Sequence, residues 1–171
     1  RFSVYLGHPT YAIAIILFSM ILFTGIGSFL SDRIPVIDKP GWLVAYPLAI
    51  GVTIIAITQT IQPLIDTTIS EGLLTRGLLV VAITAPLSLL LGLCFPIGMR
   101  LVERISPDAT PWMWGVNGAS GVLASVIAMA ISMWAGIHMS LYVAAVLYLG
   151  LMVAARALWT LGSQADGERA S

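Results

Sequence analysis

The chain has 171 residues, of which 58% are hydrophobic and 9% are charged, and its mean hydropathy is +0.98. Soluble domains carry roughly 25% charged residues, so this composition excludes an ordinary soluble domain and predicts a protein embedded in lipid. The charges sum to a formal net charge of zero, which removes the argument for nucleic-acid binding through a basic face. The single cysteine, Cys94, allows no disulfide within the chain and is interpreted as a packing residue.

Five stretches are long and apolar enough to cross a membrane, since a transmembrane helix needs about 20 predominantly apolar residues. They cover residues 11–30, 42–61, 78–99, 113–135 and 140–161. The predicted fold is therefore all-α, a polytopic bundle of about five transmembrane helices. A small polar tail, residues 162–171, follows the last span and is predicted to be disordered. Because the sequence opens on Arg1, we expect it to be a segment of a longer product.

The first two spans are separated by a turn-rich loop, and small residues close the first of them. Gly25, Gly27 and Ser28 predict a patch where another helix approaches closely. After the second span, residues 62–76 are too polar to cross the membrane and place their apolar side chains roughly on one face. This pattern predicts a short amphipathic helix on the outer surface. A continuation of the second span explains the same residues equally well.

Two prolines interrupt the third span. Pro86 and Pro96 each remove a backbone donor, and the ring of Pro96 presses toward the carbonyl of Gly92, so kinks are predicted at both positions. The favoured interpretation is that these kinks serve packing. Broken helices also line binding sites in transporters, which leaves a role in a transport path open.

The fourth span is the most informative, because small residues recur in it at steps of three and four. This predicted helix-packing stripe consists of Gly118, Gly121, Ser125, Ala128 and Ser132. Small residues let backbones approach closely, which matters in lipid because there is little hydrophobic drive between helices. Asn117 lies near the head of the stripe and is predicted to hydrogen-bond to a neighbouring helix. A place in a substrate site is the alternative for this amide.

Tryptophans mark the predicted span ends, where the amphipathic indole ring anchors at a membrane interface. Trp42, Trp112, Trp114 and Trp159 are assigned to such interfaces, and Trp134 lies at the other end of the fourth span. Basic residues in the loops, towards the span ends and in the tail divide six against two between the two sides. By the positive-inside rule, this asymmetry predicts a cytoplasmic C-terminus and an external N-terminus.

Catalytic and cofactor-binding patterns are not recognisable in the sequence. Charged residues fall in loops, at span ends or in the tail, which disfavours a self-contained ion-coupled pump. His8 and His138 share the predicted outer side and are weak candidates for a metal site. Such a site usually needs three or four ligands, so Asp66 or Glu71 would have to join them. We therefore expect neither a catalytic residue nor a cofactor in this segment.

Several sequence blocks resemble a known family. RFSVYLGHPTYA (residues 1–12), LFS (17–19) and TGIGS (24–28), then CFPIGMR (94–100) and PWMWGVNG (111–118), are similar to the C-terminal membrane region of bacterial spermidine synthase-like membrane proteins. The resemblance implies a methyltransferase-like aminopropyltransferase domain and a further membrane helix upstream of Arg1. It also implies the bacterial inner membrane, with Arg1 outside, in agreement with the charge asymmetry.

The resemblance supplies no catalytic residue, because the synthase site would lie upstream. The expected function is a non-catalytic membrane module, an anchor or an accessory subunit. Its expected partners are membrane lipids and other transmembrane helices or subunits. Two alternatives stay open, namely part of a small-solute transporter, such as one for polyamines, and the membrane portion of an aminopropyltransferase. A polyamine path would need carboxylates or an aromatic box at membrane depth.

Overall fold

The computed structural model describes residues 5–35 and 39–170, and within them long helices dominate. The five helices are α1 (Pro9–Leu30), α2 (Trp42–Thr68), α3 (Leu73–Ile105), α4 (Thr110–Ala135) and α5 (Ile137–Ala170). A short 3-10 turn, Ser31–Arg33, follows α1, and a second one, Pro107–Ala109, precedes α4. All five helices are long and apolar enough to cross a membrane. The predicted all-α bundle of five spans is confirmed.

Two helix pairs form the body of the bundle. α1 packs along α3, and α2 packs along α5, while α3 also contacts both α2 and α5. α1 and α3 run parallel, because Tyr5 meets Arg76 at one end of the pair and Ser31 meets Arg100 at the other. α2 and α5 run antiparallel, as the contact of Gln59 with Tyr142 and that of Gly51 with Leu149 show. α3 therefore links the two pairs.

Two clusters of buried apolar side chains fill the interior. The larger one joins α2, α3 and α5 and consists of Leu43, Tyr46, Ile50, Ile54, Ile97, Leu101, Ala145 and Ala155. The smaller one lies at the other end of the bundle and consists of Tyr5, Leu6, Ala12, Ile65 and Val80. Neither cluster includes a residue of α4.

α4 lies at the edge of the bundle. None of its residues is buried, and it packs mainly on α5, with a small contact on α3. It joins α5 through Gly136, whose φ of 86° is in the left-handed region. Glycine adopts this conformation without the steric cost that a side chain brings, and so permits the reversal between the two helices.

Two expectations for residues outside the spans differ from the structure. The segment 62–68 continues α2 up to Thr68, so the surface amphipathic helix is not formed and the alternative of an extended span is correct. The tail 162–170 is helical and not disordered, because α5 runs on to Ala170. Extending an existing helix needs no new nucleus, and no proline interrupts this stretch. Gly162 also packs here, since an added Cβ would lie 3.3 Å from Cδ of Arg104.

α3 continues through both of its prolines. Pro86 and Pro96 lie inside one helix of 33 residues, so neither ends the helix. Helices in membranes tolerate proline where neighbouring helices and local adjustments satisfy the freed carbonyls. The kinks themselves stay a prediction.

Candidate functional site

Two clefts flank α4 where it leaves the bundle. The first, which we call the Asn117 cleft, has a volume of about 330 Å³ and lies between α3, α4 and α5. It is lined by Cys94, Phe95, Gly98, Met99, Val102, Met113, Val116, Asn117, Ser120 and Leu158. Its polar groups are the amide of Asn117, the hydroxyl of Ser120 and the thiol of Cys94. No charged side chain lines it.

The second cleft, the Tyr148 cleft, has a volume of about 500 Å³ and separates the C-terminal half of α4 from α5. It is lined by Ala124, Ile127, Ala128, Ile131, Ser140, Val143, Ala144, Leu147, Tyr148 and Leu151. Only Ser140 and Tyr148 bring polar atoms to it. Both clefts are open to the surroundings of the bundle, which in a membrane means the lipid.

The stripe on α4 does not serve helix contacts within the chain. Added Cβ atoms at Gly118 and Gly121 would meet nothing within 4 Å, and the hydroxyl of Ser125 donates to the carbonyl of Gly121 in its own helix at 2.8 Å. Ala128 lines the Tyr148 cleft, and Ser132 is half-buried. The stripe therefore faces outward from the bundle over most of its length. Contact with another chain stays a prediction.

Close approach of two backbones occurs instead between α1 and α3. An added Cβ at Gly27 would overlap the backbone carbonyl of Leu89, and one at Gly92 would overlap the carbonyl of Thr24. The predicted patch on the first span is thus confirmed for Gly27, while Gly25 faces open space. Gly92 was not predicted as a contact residue.

Buried hydroxyl groups join the same two helices near the middle of α1. The side chain of Ser19, 1% exposed, lies with its Oγ 2.9 Å from Oγ1 of Thr84. One turn further along α3, the Ser88 hydroxyl donates to the carbonyl of Thr84 at 2.8 Å. Sequence reasoning missed these residues, although isolated hydroxyl residues near the middle of an apolar span were a usable signal.

At each end of the α1–α3 pair, an arginine of α3 donates hydrogen bonds to backbone carbonyls that flank α1. Arg100 donates to the carbonyls of Ser31 and Ile34, which follow α1. A cation there also faces the negative end of the α1 dipole. At the opposite end, Arg76 Nη1 donates to the carbonyl of Tyr5 at 2.6 Å, and its guanidinium lies 5.8 Å from the centre of the Tyr5 ring.

His8 caps a helix, and His138 lies in another helix. Nδ1 of His8 accepts a hydrogen bond from the backbone N–H of Thr10 at 3.2 Å and so caps α1. His138 lies in the first turn of α5. In the described part of the chain, no three side chains of the metal-binding types come together. The structure thus does not assemble the set that a metal site with His8 and His138 requires.

The tryptophans differ in their surroundings. Trp42 begins α2, and Trp112 and Trp114 lie in the first turns of α4. The ring of Trp114 meets that of Phe95 edge to face, with centroids 4.7 Å apart. Trp159 is half-buried against the larger apolar cluster, and α5 continues well beyond it. The interfacial assignment of these residues stays a prediction.

Comparison of the chain with family models, with curated proteins and with solved structures gives no match in any of the three. Within the chain, the closely packed α1–α3 pair contrasts with α4, a peripheral helix whose small-residue stripe is exposed and which borders two clefts.

Proposed function

We propose that the chain is a non-catalytic membrane module that docks another transmembrane helix against the outward stripe of α4. The observation that carries the proposal is the position of α4. It is long enough to span the membrane, yet it contributes to neither apolar cluster and has no buried residue. The resemblance to the membrane region of spermidine synthase-like proteins supports the same role, that of an anchor or an accessory subunit.

The chemistry of the stripe supports contact with a helix. Gly118, Gly121 and Ser125 leave the backbone of α4 accessible from outside the bundle. In lipid, close backbone approach brings packing and weak hydrogen bonds that bulky side chains prevent. A surface of this kind favours a helix with matching small residues over loosely ordered acyl chains.

Site-specific cross-linking in the native membrane tests the docking proposal. In a Cys94→Ala background, Ser125→Cys places a thiol in the stripe, and Leu123→Cys places one on the opposite face of α4, which is also exposed. We expect a bifunctional maleimide to join Ser125→Cys, and not Leu123→Cys, to a second membrane protein. Adding Gly121→Leu should abolish the product. Equal cross-linking at the two positions, or none at either, contradicts the proposal.

We also propose that the N-terminal side of the bundle is external and the C-terminal side cytoplasmic. With five spans, the α1–α2 and α3–α4 connections share a side with the end of α5. This side carries Arg33, Lys39, Arg100, Arg104, Arg156 and Arg169, against Arg1 and Arg76 on the other. Such an excess of basic residues is typical of the cytoplasmic side.

Thiol labelling of two exposed serines tests the orientation. In the Cys94→Ala background, Ser70→Cys lies between α2 and α3, and Ser106→Cys lies between α3 and α4. A membrane-impermeant maleimide added to intact cells should label only Ser70→Cys. Labelling of Ser106→Cys alone would reverse the orientation.

Transport of a polyamine has less support. The cation would need carboxylates along its path, and the acidic residues of the first four described helices, Asp66 and Glu103, lie near helix ends. Uptake of labelled spermidine by vesicles that contain the chain alone would reverse this preference.

A further inference from the structure

Residues 5–8, which we call the clasp, precede α1 and close one end of the bundle. Tyr5 and Leu6 are 1% and 2% exposed, and both belong to the smaller apolar cluster. Gly7 then turns the chain into α1 with a φ of 77°, a left-handed conformation that glycine adopts without steric cost. Two buried side chains are thus joined to α1 by an exposed turn.

Tyr5 connects the clasp to α2 and to α3. Its Oη lies 2.6 Å from Oγ1 of Thr68, the last residue of α2. Because the Thr68 hydroxyl donates its own hydrogen to the carbonyl of Leu64 at 2.6 Å, Tyr5 is the donor between the two hydroxyls. Arg76 of α3 donates to the carbonyl of Tyr5, and its guanidinium lies 5.8 Å from the centre of the ring. The clasp is therefore bonded to both helices.

His8 lies at the junction between the clasp and α1. Its backbone is extended, with φ −148° and ψ 130°, and its Nδ1 accepts the N–H of Thr10 at 3.2 Å. This is the geometry of an N-cap, which supplies an acceptor to an amide that the start of a helix leaves without a partner. The ring also lies against that of Tyr11, with centroids 5.5 Å apart.

The cap forms in one protonation state only. A neutral imidazole accepts a hydrogen bond at its unprotonated nitrogen, whereas both nitrogens of an imidazolium are donors. A proton on Nδ1 of His8 would face the N–H of Thr10, donor against donor, and its charge would lie at the positive end of the α1 dipole. Because the capped state excludes this proton and the open state accepts it, acid favours the open state.

Three charged side chains share this end of the bundle with His8. Arg76 of α3 carries a positive charge, while Asp66 of α2 and Glu71, between α2 and α3, carry negative ones. In the described part of the chain, neither carboxylate makes a hydrogen bond or an ion pair with the imidazole. A protonated His8 therefore gains no described acceptor in exchange for the cap that it loses.

We propose that His8 makes the clasp a pH-sensitive switch. Neutral His8 caps α1 and holds the clasp against α2 and α3, whereas protonated His8 breaks the cap and loosens the clasp about Gly7. The switch and the docking proposal concern different helices, so either can fail alone. Under the orientation proposed above, the clasp responds to the pH outside the cell, but the measurements that follow do not depend on that orientation.

Hydrogen–deuterium exchange of the full chain in detergent tests the switch. Exchange is measured at about pH 5 and about pH 8, the limits of the range in which histidine changes its charge, and is corrected for the intrinsic effect of pH. We expect peptides that cover residues 5–14 to exchange at least about fivefold faster in acid, the change that corresponds to loss of a cap of typical strength. Peptides from the middle of α3 should not change.

The two histidines of the chain provide a matched pair of variants. His8→Asn keeps a capping acceptor that does not titrate, since asparagine is among the best N-cap residues. It should exchange slowly at both pH values. His138→Asn changes the other histidine, in the first turn of α5, and should keep the full response to acid.

Three outcomes overturn the proposal. The first is the same response to acid in His8→Asn and in the wild type, and the second is loss of the response in His138→Asn. The third is a nitrogen-15 spectrum at about pH 8 in which Nδ1 of His8 carries the hydrogen. Far-ultraviolet circular dichroism of each variant at both pH values confirms that a change in exchange does not reflect loss of the whole fold.

Discussion

The α1–α3 pair and α4 show two ways in which small residues are used in one membrane chain. Gly27 and Gly92 each lie against a backbone carbonyl of the facing helix, and buried hydroxyls and terminal arginines join the same pair. Gly118 and Gly121 lie on a helix with as clear a pattern, yet they meet nothing in the chain. The pattern of small residues thus indicates that another helix can approach closely. The position of the helix in the bundle decides whether that other helix belongs to the same chain.

The largest expected effect comes from closing the gap between α1 and α3. Gly92→Ala would force its Cβ into the carbonyl of Thr24, which cannot move without displacing α1. We expect destabilisation of at least about 3 kcal/mol, at the upper end of overpacking effects. Thermal unfolding in detergent, followed by near-ultraviolet circular dichroism, measures it. Gly25→Ala, in open space on α1, is the control, and equal melting of the two variants would contradict the packing described.

A smaller loss is expected at the end of the pair. Arg100→Met removes the donors to the carbonyls of Ser31 and Ile34 while keeping much of the side-chain volume. Hydrogen bonds to charged groups contribute about 1.5–3 kcal/mol, so the melting temperature should fall clearly. Arg33→Met removes an exposed charge at the same end and should change stability by less than about 0.5 kcal/mol. A larger effect at Arg33 would refute this role of Arg100.

The hydroxyl contact should contribute less again. Thr84→Val removes the partner of Ser19, and hydrogen bonds between membrane helices average about 0.6 kcal/mol. Thr53→Val provides the comparison, because its hydroxyl donates to Ala49 of its own helix at 2.7 Å. A double-mutant cycle with Ser19→Ala isolates the interhelical energy. A coupling of zero would show that the two hydroxyls do not interact.

The smallest effect on the stability of the chain is expected from the α4 stripe. Gly121→Leu adds a side chain where no atom of the chain is near, and leucine favours a helix over glycine by up to about 1 kcal/mol. The isolated chain should therefore melt within about 1 kcal/mol of the wild type, or slightly above it. A loss of stability as large as that expected for Gly92→Ala would show that the α4 stripe packs within the chain as the α1–α3 contact does.

The number and approximate limits of the helices could be predicted from the sequence, because apolar length alone determines which segments cross a membrane. The choice of neighbours could not. The stripe on α4 could be recognised because its small residues recur at steps of three and four. Gly92 is surrounded by leucines, and the only other small residue at helical spacing is Ser88, four residues before it. Arg76 and Arg100 were interpreted through their charge alone, since their acceptors are backbone carbonyls that no sequence pattern marks.

The parallel course of α1 and α3 has a consequence for biogenesis. Synthesis proceeds from the N-terminus, so α1 enters the bilayer before α3 has been synthesised. It remains there without its partner helix while α2 is inserted. During that time the hydroxyl of Ser19 can be satisfied within α1, because it donates to the carbonyl of Ile16 at 3.0 Å. The hydroxyl of Thr84 likewise donates to the carbonyl of Val80 in its own helix at 2.9 Å. When the two helices meet, one hydroxyl turns its hydrogen from its own backbone to the other. Each span can thus enter the membrane alone with its hydroxyl satisfied. When the pair assembles, one hydrogen bond within a helix is replaced by the bond between Ser19 and Thr84.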